Sequence, residues 1–143
     1  PGPDKKPPQG VAMQQALSPA PLSLGDGGLW TTLHDLLRWG DALNYKTLSI
    51  ADLVQKTGML DDGTPLDYAW GMRAFRDMGC QIRSHGGSWP GSTEKLILLP
   101  ECKLSIAAVA LDDDIERIVA LTTQVQEHLM PARHNRYESN PKR

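Results

Sequence analysis

His85, followed by Gly86 and Gly87 and then by Ser88 and Trp89, is where residue type and spacing in this chain point most clearly to chemistry. Cys80-Gln81-Ile82-Arg83-Ser84-His85 alternates apolar with polar residues, so in a strand Cys80, Ile82 and Ser84 face one way and Gln81, Arg83 and His85 the other. That puts the imidazole on a polar face. Gly86 and Gly87 have no Cβ, so a ligand can lie against their backbone and hydrogen-bond to it as an added strand would. The Ser88 N–H is then placed to face a developing oxyanion, and Trp89 to line a substrate cleft. The plainer alternative is a Gly-rich hairpin loop that binds nothing.

Three further segments stand in a definite order around this one. Gly27-Gly28-Leu29-Trp30-Thr31-Thr32-Leu33-His34-Asp35-Leu36 comes first, then Tyr68-Ala69-Trp70-Gly71-Met72, and Glu94 to Glu101 follows. With His85-Gly86-Gly87 and Pro90-Gly91, they resemble the C-terminal half of the serine β-lactamase-like family, which includes class C β-lactamases, DD-peptidases, D-amino-acid amidases and esterases. The resemblance runs from about Pro19 to about Leu129. It implies a partial β-lactamase/transpeptidase-like fold and acyl-enzyme chemistry on an amide, ester or lactam. His85 then stands at the family's H-x-G position, assisting substrate carboxylate binding or proton traffic, and the Ser88 N–H forms half of an oxyanion hole. A His there, rather than a Lys, implies a peptidase or esterase more than a β-lactamase. The resemblance also implies an extracytoplasmic protein, and nothing else here bears on the compartment.

The family's nucleophile belongs to S-x-x-K on a helix near the N-terminus. The expectation is that Ser18, Ser23, Ser49, Ser84, Ser88, Ser92, Ser105 and Ser139 supply no such motif, and no Y-x-N or Y-x-S is convincing either. The chain therefore reads as half an enzyme, whose partner is the missing N-terminal half or a second copy of itself. The alternative is a non-catalytic binding or regulatory module that keeps the fold. Lys56-Thr57-Gly58 spells the family's K-T-G, but it follows Ser49 to Gln55, a capping-box start with Ile50, Leu53 and Val54 at helical spacing. It reads as the end of a helix.

The elements that must position His85 are legible from periodicity. Thr32 caps a helix with Leu33, Leu36, Leu37 and Leu43 on one stripe, ending near Asn44. Tyr68 to Phe75, Cys80 to Gly87, Thr93 to Leu99 and Leu104 to Leu111 read as four strands, simplest as an antiparallel meander. Asp112 or Asp113 then caps a long helix with Ile115, Ile118, Val119, Thr122, Val125 and Leu129 on one face, and Pro131 marks its end. The fold class is α/β (α+β): an antiparallel sheet flanked by helices. Residues 1–26, rich in Pro and Gly, read as an irregular linker, 27–130 as the C-terminal part of the domain, and 131–143 as a polar tail.

At 143 residues the chain has room for one core. A net charge of −2 with interspersed signs gives no case for nucleic acid, and no apolar run approaches the roughly 20 residues of a membrane span. Opening on Pro1 suggests a processed product or an excised fragment. His34, His128 and His134 lack ligand spacing, Asp112-Asp113-Asp114 reads as a helix cap, and no metal or other cofactor is implied. Cys80 and Cys102 fall at the same end of the expected sheet, as a disulfide or as two separate thiols. Trp30, Trp39 and Trp70 read as core or half-buried aromatics.

Overall fold

The computed structural model describes residues 27–77 and 79–138, with side chains up to residue 130. The linker read over residues 1–26 lies outside them. Helix α1 (Leu33–Asn44) starts where expected: the Thr32 hydroxyl accepts a hydrogen bond from the Asp35 N–H at 3.1 Å and donates to the Asp35 carboxylate at 2.9 Å. One orphan amide of the helix start is thereby satisfied. Helix α2 (Ala51–Gln55) is short, and Ile50, not Ser49, stands at its cap with no side-chain bond. The Ala51 N–H bonds the Leu48 carbonyl at 3.0 Å, so a backbone turn does what the capping box was expected to do. Lys56 is the C-cap, which leaves Lys56-Thr57-Gly58 outside the sheet.

Strands β1 (Arg73–Asp77), β2 (Cys80–Trp89), β3 (Ser92–Leu99) and β4 (Leu104–Ala110) make one antiparallel four-stranded sheet in the order β1-β2-β3-β4. With its flanking helices this is an α+β architecture. β1 begins later than Tyr68 because the chain turns first. Ala69 N–H bonds the Met72 carbonyl at 2.7 Å and Gly71 takes a φ of +82°, so Tyr68 meets the sheet only through an isolated bridge to Arg73. That backbone geometry suits a residue with no Cβ.

The two faces of the sheet carry separate cores. On one, Leu43 of α1 and Ala51 of α2 pack with Met72, Leu96 and Leu98. α1 comes so close that a Cβ on Gly40 would sit 2.8 Å from Leu98 Cδ2. It is pinned there by Asn44, whose Nδ2 donates to the Leu104 carbonyl at 2.8 Å and to Ser105 Oγ at 2.9 Å. On the other face Ile82, Ile97, Leu99, Cys102 and Ile106 meet Met130 of α3 (Ile115–Glu138).

Helix α3 departs from expectation in three ways. Its cap is Asp114, whose carboxylate accepts from the Arg117 N–H at 3.0 Å; Asp113 instead accepts from Gly91 N–H at 2.6 Å, and Asp112 from Asp114 N–H at 3.1 Å and from the Arg117 guanidinium. Its buried row is Ile118, Thr122, Gln126 and Met130, while Ile115, Val119, Val125 and Leu129 stay partly exposed on the flanks. Thr122 is tolerated in the middle because its hydroxyl donates back to Ile118 and Val119 carbonyls, at 2.9 and 3.0 Å. Finally, the helix continues past Pro131 to Glu138 rather than ending there, since a proline forfeits one helical bond without forbidding the next turn. Residues 139–143 of the expected tail lie outside the described residues.

Candidate functional site: the open stretch of strand β2

Hairpin geometry settles where the His85 strand offers free backbone. β2 is joined to β1 and to β3 by turns of two residues, closed by the pairs Asp77–Cys80 and Trp89–Ser92. Hydrogen-bonded and non-bonded pairs alternate along an antiparallel ladder. Cys80, Ile82 and Ser84 thus address β1, while Arg83, His85, Gly87 and Trp89 address β3. Both hairpins give the same phase. β1, however, stops at the Arg73–Ser84 pair. From there on the N–H and C=O of Gly86 and Ser88 point to an edge that no strand covers among the described residues.

Beside that edge lies a cleft of about 440 Å³. His85, Gly86, Glu94 and Leu96 form its floor. Trp39, Leu36 and Asp35 of α1 form one wall, and Trp70, Gly71 and Met72 the other. His85 is exposed, and faces the same side as its cross-strand neighbour Leu96. Glu94 sits close by. Partial burial holds its carboxyl above the usual range, and the nearby His85 imidazole pulls it back down. Arg83, whose guanidinium burial pushes below its ordinary value, donates to the Gln55 carbonyl at 3.2 Å and ties α2 to the same face.

The glycines have a packing reason of their own. A Cβ on Gly86 would meet the Glu94 carbonyl oxygen at 2.9 Å, and one on Gly87 would meet Glu94 Oε1 at 1.9 Å. The first clash is with backbone and the second with the end of a movable side chain. Gly86→Ala should therefore cost about 1–3 kcal/mol of unfolding free energy, as overpacking does, and Gly87→Ala distinctly less while displacing the Glu94 carboxylate. Urea melts of the two variants check this, and equal losses would mean that Glu94 cannot move aside.

The other residues singled out in sequence divide. Ser88 is exposed but alternates with Gly87, so its side chain is on the face opposite His85 and only its backbone serves the edge. Trp89, at the hairpin tip, is not part of the cleft lining; the tryptophans that are, Trp39 and Trp70, read from sequence as ordinary aromatics. Glu94 was missed as well. Counting back across Pro90-Gly91 from Gly87 would have found it, because the two are cross-strand partners.

Two serines do have a lysine three residues on, against the expectation that none would: Ser92 with Lys95, and Ser139 with Lys142. In β3 a spacing of three puts Ser92 and Lys95 on opposite faces, whereas a helix would bring them together. Ser139 and Lys142 lie outside the described residues. Among the described residues no Ser or Cys lines the cleft. Among the described residues no His, Cys, Asp and Glu side chains converge as a metal site, and no helix is long and apolar enough to cross a membrane. The chain matches no protein-family model and no curated protein.

Proposed function

We propose that this chain is the C-terminal half of a β-lactamase-like serine hydrolase, in which the open stretch of β2 forms one wall of an acyl-transfer site. The observation that carries the reading is the unpaired backbone of Gly86 and Ser88 beside an exposed His85, where His85 and Gly86 line a cleft shared with Trp39 and Trp70. A serine of the missing N-terminal half attacks the carbonyl of an ester or amide. The Ser88 N–H takes part of the oxyanion's charge, and the substrate's own backbone pairs with the strand edge. His85, with Glu94 beside it, holds the substrate carboxylate or passes a proton to the leaving group. One observation favours a non-catalytic binding module instead, namely the lack of any Ser or Cys among the described residues of the cleft lining.

A fluorophosphonate probe separates the two. The isolated chain should take up no label, and a chain extended by the coding sequence upstream of Pro1 should be labelled on a serine of S-x-x-K in that extension. Stoichiometric label on Ser92 or Ser139, lost on substitution by Ala, would overturn the half-enzyme reading. An extended chain that stays unlabelled leaves the binding module.

A further inference from the structure

At the end of the sheet away from the cleft, Cys80 at the start of β2 and Cys102 in the 3-10 turn Pro100–Cys102 lie with their sulfurs 3.0 Å apart. Both are thiols in this structure. Their proximity is held from outside the pair. The Glu101 carboxylate accepts from the Gln81 N–H at 3.1 Å and pairs with Arg76 at 3.3 Å, and Arg76 in turn donates to the Gly79 carbonyl at 2.8 Å. The β1–β2 turn and the β3–β4 connection are thus locked together on either side of the cysteines. Cys102 is buried and Cys80 only partly so, and both pack with Ile82 and Leu99.

We propose that Cys80 and Cys102 form an intramolecular disulfide, made by exchange with a low-molecular-weight disulfide such as oxidised glutathione. A bonded pair needs sulfurs about 2.05 Å apart, so closure asks only for a small side-chain rotation within a frame that is already fixed. The partly exposed Cys80 thiolate attacks the glutathione disulfide, forming a mixed disulfide and releasing one glutathione thiolate. The Cys102 thiolate then attacks the Cys80 sulfur and releases the second. The two protein protons end on the two glutathione thiols, and the two electrons reduce the oxidant. Burial first, and then the neighbouring Cys102, push the Cys80 thiol up to about 11, so the first step is slow at neutral pH and quickens as pH rises. The bond would be a staple and not a fast sensor. It closes a loop across 22 positions of sequence, joins elements already in contact, and leaves the His85 cleft at the other end of the sheet unchanged.

The test is made on the full chain, reduced with dithiothreitol, desalted and incubated with oxidised glutathione at alkaline pH. Denaturation in iodoacetamide and intact-mass measurement follow. The expected product is monomeric, lighter by two hydrogens and free of carbamidomethyl groups, and it yields a Cys80–Cys102 cross-linked peptide. Its Tm is higher than that of the reduced chain by on the order of 10 °C, as a loop of this length implies. Cys80→Ser and Cys102→Ser should each give a single alkylated thiol or a single glutathione adduct, and no rise in Tm on oxidation. Two alkylated thiols, a persistent mixed disulfide, an intermolecular dimer, or a bond that lowers the Tm each overturn the proposal.

Discussion

His85→Ala, introduced into a chain that carries the N-terminal half, should lower kcat/KM for ester hydrolysis by about 10²–10³, the span that a positioned acid–base group contributes. The Tm should move by less than a degree or so, because the imidazole is exposed and belongs to neither core cluster. His85→Gln keeps a hydrogen-bond donor but cannot move a proton at neutral pH. It separates the two roles: recovery of KM without recovery of kcat identifies a proton carrier, and recovery of both identifies a carboxylate-binding group. A fall in Tm comparable to that of a core truncation, with activity lost only in proportion to unfolded protein, would make His85 structural. Steady-state kinetics beside thermal melts on the same preparations give the answer.

The strands around His85 could be read in advance because turn chemistry and alternation agree there. Pro90 presets its own φ, Gly91 takes +85°, and the run from Cys80 to His85 keeps a period of two. Where the sequence misled, a local signal was overridden by what lay opposite. Tyr68-Ala69-Trp70 has strand-like residues, but Gly71 at positive φ turns the chain away, and that departure uncovers the edge beside Gly86 and Ser88. The long helix carries apolar residues on a wide arc, and periodicity cannot say which row of the arc is central. The row that packs includes Thr122 and Gln126, because α3 meets chiefly β3 and β4 while its apolar flanks stay partly exposed. Glu94, Trp39 and Trp70 join the cleft through three separate elements, a convergence that no single stretch of sequence displays.

The isolated chain should associate through β4, either with the N-terminal half proposed above or with a second copy. Leu104-Ser105-Ile106-Ala107-Ala108-Val109-Ala110 pairs with β3 on one side, and on the other no strand meets it among the described residues. Its composition suits a central strand, yet of its seven residues only Ile106 is buried. Val109 is 45% exposed and Leu111, just beyond the strand, 81%. On the α3 side Val119 and Leu121 add partly bare apolar surface. An edge of this kind, with no proline and with Lys103 its only nearby charge before Asp112, is a template for another strand. A partner that pairs with β4 satisfies its free amides and recovers roughly 1.5–3 kcal/mol for each large side chain it covers. Leu111→Lys forfeits one such contribution at a position too exposed to affect the core. It should weaken association by about tenfold or more, since 1.4 kcal/mol corresponds to a factor of ten. Sedimentation velocity over a concentration series gives the association state of both proteins, and hydrogen exchange at Ser105 to Ala110 shows whether the edge is engaged. A chain that remains monomeric at every concentration with those amides strongly protected would mean the fold closes this edge by itself, and the half-enzyme reading would lose the support it draws from β4.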